Sequence, residues 1–225
     1  MLMLLLFDVD GTLITEGDDC HLAAVLSAIE AVYRIAVPAA DAVVPDSKTD
    51  LQIAREIIAA RGCPPDLFWA GAGEFCAAAA AEYARTCPDL SGRVLDGIPG
   101  LLADLATRPG VRLGLLSGGI CQIALTKLAA AGLAGFFSPV TGAFGCESDD
   151  RAALPPAALA RAGYGALRTL IIGDTPRDIT CAHTSRIRCV AVATGGYGAS
   201  ALHAADRIAR STAELRAALN AELAR

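Results

Sequence analysis

The sequence predicts an α/β fold, a doubly wound parallel sheet carrying a small all-α domain inserted after the first strand. Three observations predict it. Apolar runs recur as LMLLLF, VRLGLL, TLIIG and RCVAVAT, and each is continuous rather than alternating, as in strands buried on both faces. Each run ends in Gly, Ser, Asp or Thr and passes into a helix-like stretch, the alternation of a parallel sheet flanked by helices. Between the first two runs lie helix-like segments and no convincing strand.

The elements follow in chain order. LMLLLF, ending at Phe7, is the first strand, and the helices of the insertion are expected at His21–Tyr33, Asp50–Ala60 and Asp66–Arg85. Pro38, Pro45, the run Gly62-Cys63-Pro64-Pro65 and Pro88 punctuate them, and the alanine run Ala77–Ala81 favours helix. VRLGLL then leads to a helix at Ile120–Ala131, TLIIG to one at Pro176–Thr184, and RCVAVAT precedes a last helix at Ala213–Leu223. The expected division is a core of residues 1–14 and 96–225 and a helical lobe of residues 15–95. Ligands of such sheets bind at the carboxyl ends of the strands, so the lobe is expected to lie over the site.

Composition narrows the function. A chain of 225 residues supports one sizeable core with a smaller satellite. The net charge is −5, the isoelectric point lies near 5.2, and no run of Lys and Arg occurs, which disfavours nucleic acid as a partner. A small anionic substrate stays compatible, because local charge and a metal outweigh the global sign. Mean hydropathy is high at +0.46, yet no apolar run reaches the ~18 residues of a membrane helix. The opening MLMLLLF has no basic residue before it and is stopped by acids, unlike a signal peptide. A soluble, cytoplasmic protein is expected, with monomer and dimer equally open. The eight cysteines show no C-x-x-C spacing and read as small buried hydrophobes.

The chemistry gathers at the strand ends. In FDVDGTL, Asp8 and Asp10 close the first strand, and residues two apart in a strand share a face. Gly11 permits a sharp turn, and a plain turn or helix cap is the competing explanation of Asp-Gly-Thr. TLIIGDTPRDI repeats the arrangement, with Asp174 at a strand end and Asp178 on the first turn of a helix that Pro176 helps to start. Asp8, Asp10, Asp174 and Asp178 make a set of hard oxygen ligands without His or Cys, which suits Mg²⁺. In LGLLSGGI, Ser117 offers a hydroxyl and Gly118 and Gly119 offer amides at a helix start, an anion site or an ordinary loop. Arg151 precedes a helix, and surface salt bridging is the alternative use for it.

In this order DVDGTL, LLSGG, a basic residue before a helix, and GDTPRD resemble the haloacid dehalogenase superfamily of aspartyl phosphotransferases over nearly the whole chain. The resemblance implies a phosphatase acting on a small phosphorylated metabolite, with Asp8 as nucleophile and Asp10 as general acid/base. It further implies phosphate binding by Ser117 and by Arg151, which stands where the family usually has lysine, and Mg²⁺ held by Asp174 and Asp178. Asp149 and Asp150 are candidates to hold the Arg151 guanidinium, or are solvated. The insertion matches the family's cap. Within it SKTDLQIAREII resembles a GKTD-like stretch of phosphoglycolate-phosphatase-like members, with Ser47 for the glycine. Lys48, Thr49 and Asp50 are then candidates for shaping the pocket, and a Thr-Asp helix cap explains them equally well.

Other readings compete. Dehalogenases resemble the rest but lack the second aspartate, so Asp10 favours phosphate chemistry, while a phosphomutase shares both acids. Phosphonate cleavage in the superfamily uses a cap lysine, for which Lys48 is the single candidate. A signalling receiver domain would lack the insertion, and a non-catalytic phosphate-binding module would not need the acid pair. His21, His183 and His203 match no metal spacing and are expected on helix surfaces, Phe68 and Trp69 are expected to pack the cap, and ATGGYG (residues 193–198) reads as a turn on the ligand edge.

Overall fold

The computed structural model describes residues 2–37, 47–138 and 140–224; Pro38 and Pro45, expected as breaks in the insertion, lie outside them. The strands are β1 (Met3–Phe7), β2 (Val111–Ser117), β3 (Gly142–Phe144), β4 (Thr169–Gly173), β5 (Arg188–Val192) and β6 (Arg207–Ala209). The helices are α1 (Asp19–Tyr33), α2 (Asp50–Ala60), α3 (Pro65–Thr86), α4 (Ile98–Ala106), α5 (Cys121–Ala130), α6 (Leu154–Ala162), α7 (Pro176–Thr184) and α8 (Thr212–Leu223). All six strands pair in parallel, in the order β3-β2-β1-β4-β5-β6.

The central place of β1 explains its composition. Met3, Leu5 and Phe7 pack on one face against Leu101 and Leu105 of α4, Leu128 of α5 and Leu215 of α8. Leu4 and Leu6 pack on the other against Leu154 of α6 and Ile179 and Ala182 of α7. Each fully buried leucine stabilises the sheet by about 1.5–3 kcal/mol, and a strand covered on both sides has no position for a polar residue until it ends. Strands β3 and β6 are three residues each and stand at the two sheet edges, too short to show as apolar runs.

Helices α1, α2 and α3 form a third cluster, in which Val25, Ile29, Ile57, Phe68, Phe75 and Tyr83 bury one another. Ile120 and Ile123, at the start of α5, join it and seat this layer on the sheet domain. Phe68 is buried in the cluster, stacked on Tyr33, whereas Trp69 is half exposed. The outgoing and returning chains run side by side, bridged antiparallel at Ile14 and Val94. The Thr15 amide donates to the Arg93 carbonyl at 2.8 Å and the Leu95 amide to Leu13 at 3.1 Å.

Candidate active site

The site is built where β1 and β4 end. The Asp8 amide still donates to the Ile172 carbonyl at 2.8 Å, which fixes the backbone one residue beyond β1. The chain then turns at Gly11, whose φ of +75° favours glycine, and a Cβ there would lie 2.2 Å from Asp174 Oδ2. This close approach lets the Thr12 hydroxyl donate to Asp174 Oδ1 at 3.1 Å. Asp178 is set by a capping box on α7: its Oδ2 accepts from the Thr175 amide (3.1 Å) and hydroxyl (2.8 Å), and its own amide donates to Thr175 Oγ1.

Asp8, Asp174 and Asp178 each offer an oxygen within 4.8 Å of the other two, and all three are buried. So much negative charge in so little water is unfavourable. Burial is the main cause that raises Asp8 to about 7, with Arg151 opposing and Asp178 and Asp10 adding to it. Asp174 rises to about 9 through burial, Asp8, Asp178 and the neighbouring Glu16. Arg151 compensates in part: its Nη2 lies 2.5 Å from Asp178 Oδ1 and 3.3 Å from Asp8 Oδ2. Burial opposes the guanidinium charge, but Asp178 and Asp8 outweigh it and hold Arg151 protonated. Asp149 and Asp150, the sequence candidates for holding it, do other work. Asp149 pairs with Arg55, and Asp150 caps the turn at Ala152.

The cluster fits a hard divalent cation. Its donors are all carboxylate oxygens, and Asp174 Oδ2, in a side chain with no solvent exposure, meets no N–H or hydroxyl donor, the Glu16 carboxyl being a further acid beside Asp174. A buried lone pair of this kind is stabilised by a cation and penalised without one. Asp10 departs from the expected ligand set. Its carboxylate is not one of the three that converge, because the Lys127 Nζ lies 2.8 Å from both of its oxygens.

Lys127 is only 2% exposed and was not legible as a site residue, since its reach depends on how α5 is rotated. It also lies 3.5 Å from Asp18 Oδ2, which accepts from the Tyr83 hydroxyl at 2.5 Å. Burial works against an ionised Asp18, yet Tyr83 and Lys127 together hold its carboxyl below the usual range. The chain Asp10–Lys127–Asp18–Tyr83 thus joins the sheet domain to the helical layer.

The second strand end meets the insertion directly. Ser117 closes β2, and its Oγ accepts from the Gly119 amide at 3.1 Å. Asp50, on the first turn of α2, donates its amide to the Gly118 carbonyl (2.9 Å) and accepts from the Ile120 amide (2.7 Å). A Cβ at Gly118 would come within 2.6 Å of both Arg151 Nη1 and the Lys48 carbonyl. His21 lies 3.0 Å from Asp50 Oδ2 and edge-on to Tyr83, in the cleft rather than on a helix surface as expected. His183 and His203 are outlying, bonded to Asp206 and to the Ser200 carbonyl. Of the roles open to the SKTD segment, Thr49 is fully buried as the α2 cap, accepting from the Gln52 amide. Lys48 pairs with Glu56 at 2.7 Å. A cavity of about 420 Å³ opens here, with Asp8, Asp10, Ser117, Lys48 and Arg151 in its wall. Gly196 and Tyr197 of the ATGGYG turn also border it, and Thr194 anchors that turn to the Gly11 carbonyl at 2.7 Å.

Residues 5–192 match the family model described as haloacid dehalogenase-like hydrolase. The chain belongs to this family. Among solved structures, a predicted phosphatase from Clostridium acetobutylicum matches with a TM-score of 0.68 at 18% identity, covering 97% of this chain and 99% of that one. A β-phosphoglucomutase from Clostridium difficile gives 0.68 at 16% identity, with 100% of both chains covered. A predicted phosphoglycolate phosphatase from Haemophilus somnus gives 0.64 at 19% identity, covering 97% and 98%. At these identities the haloacid dehalogenase-like fold is what they share. No curated protein matches the sequence.

Proposed function

We propose that the protein is a Mg²⁺-dependent phosphatase that hydrolyses a small phosphate monoester through a phosphoaspartyl intermediate on Asp8. The observation that carries this reading is the convergence of Asp8, Asp174, Asp178 and Arg151 at the ends of β1 and β4, with Asp8 and Arg151 bordering the cavity. Asp8, Asp174 and Asp178 would hold the ion, which when bound neutralises carboxylate and phosphate charge.

The chain's own residues have separable tasks. Asp8 attacks phosphorus in line, forming its Oδ–P bond as the P–O bond to the alcohol breaks. Arg151 and Ser117, which both border the cavity, supply donors for the equatorial phosphate oxygens. Asp10 borders the cavity with its side chain 36% exposed, which gives it access to the leaving oxygen and then to the attacking water. The helical layer of α1, α2 and α3 acts as a cap that excludes bulk water and selects the alcohol. A phosphomutase of the same family would use the same acids and differ in returning the phosphoryl group to a sugar.

Turnover of p-nitrophenyl phosphate with and without Mg²⁺ tests the reading. Hydrolysis is expected only with the ion, and Asp8→Asn is expected to lower kcat on the order of 10⁴-fold or more. Turnover by the wild type that is unchanged by chelation, or that survives Asp8→Asn, would sink it.

A further inference from the structure

The cavity wall carries an excess of carboxylates besides Asp8 and Asp10. Glu16, Asp18, Asp19 and Asp50 all border it, and Leu22, Val25 and Ile53 give it an apolar side. Against these stand three permanent cations among the described lining residues, and each is already paired. Arg151 lies between Asp178 and Asp8, Lys127 between Asp10 and Asp18, and Lys48 holds Glu56. His21 is turned onto the buried Asp50, so that pair adds no net positive charge. The segment 38–46, outside the described residues, contains no Lys, Arg or His.

Glu16 and Asp19 stand exposed at the cavity, and a second anion entering beside them and the inner acids meets net repulsion, with no unpaired ammonium or guanidinium among the described lining residues to offset it. Hydroxyl and ammonium groups meet acceptors instead. We propose that the site takes phosphate monoesters whose alcohol half is uncharged or cationic, and discriminates against substrates carrying a second anion, the phosphocarboxylates and bisphosphates. The proposal rests on the phosphatase reading for where the phosphate sits.

Three esters of similar size test it: glycerol 3-phosphate, O-phosphoethanolamine and 2-phosphoglycolate. Their binding to the Asp8→Asn protein with Mg²⁺ is measured by calorimetry, and their inhibition of p-nitrophenyl phosphate turnover is measured on the wild type. Phosphoglycolate should bind and inhibit at least tenfold more weakly than each of the other two. Asp19→Lys, a change on the exposed first turn of α1, should narrow that gap several-fold. Phosphoglycolate affinity equal to or above that of either other ester overturns the proposal. The calorimetric arm needs no turnover, so this failure is separate from a failure of the phosphatase reading.

Discussion

At the residue scale, Lys127 decides how Asp10 stands. An ammonium 2.8 Å from both Asp10 oxygens fixes the direction of the carboxyl, and its burial leaves little freedom to move. Lys127→Met keeps the length of the side chain and removes that hold. Turnover of alkyl phosphates, which need a proton on the leaving oxygen, should fall about 10²-fold. Turnover of p-nitrophenyl phosphate, whose leaving group needs little help, should fall by about tenfold or less. Equal losses on both esters would reduce Lys127 to a structural part. Gly11→Ala should be among the most damaging single changes, since its Cβ would fall 2.2 Å from Asp174 Oδ2 at a φ of +75°. Its signature is loss of the Mg²⁺-induced rise in Tm; a normal rise would show that the turn relaxes. The four motif aspartates were legible because strand ends and a helix start fix their positions through the backbone. Lys127 and His21 were not, because a helical residue's partner depends on how the helix is rotated and packed. The turn of the Asp10 carboxylate away from the other three acids follows from Lys127 and was hidden with it.

At the element scale, the start of α7 fixes one carboxylate of the acidic cluster. Its capping box holds the Asp178 carboxylate through the Thr175 amide and hydroxyl. Thr175→Ala should lower stability by about 1 kcal/mol in urea unfolding, as loss of a cap does, and should weaken Mg²⁺ binding in the same protein. A stability loss with unchanged Mg²⁺ affinity would separate cap from site. The central strands were readable because burial on both faces demands unbroken apolar runs, as in Leu4, Leu5 and Leu6. Edge strands β3 and β6 need only three residues and one covered neighbour, so they leave no such run. Helix α4 was also missed; it begins after Gly97 and carries Pro99 and Gly100 in its first turn, residues that read as a turn.

At the scale of the whole molecule, the acidic cluster links stability to pH and to the ion. Asp8 and Asp174 have native values of about 7 and about 9 against 3.8 for the free carboxyl. Across the window from 3.8 up to those values, the native state binds more protons than the unfolded state. These two groups therefore lower stability as pH rises through that window in metal-free protein. On the proposed function, Mg²⁺ bound by these carboxylates would displace those protons, so its stabilising effect should grow with pH over the same range. Tm followed across the window with chelator and with Mg²⁺ checks this, and a Mg²⁺ increment that shrinks as pH rises would contradict it. Asp8 is the residue proposed to carry the phosphoryl group, and borohydride trapping reads this directly. Acid-quenched enzyme taken during turnover is reduced, and mass spectrometry locates any aspartyl phosphate converted to homoserine. Homoserine at position 8, only when Mg²⁺ and substrate are both present, is the predicted result; active enzyme with Asp8 unmodified, or with the label on another carboxylate, would contradict it.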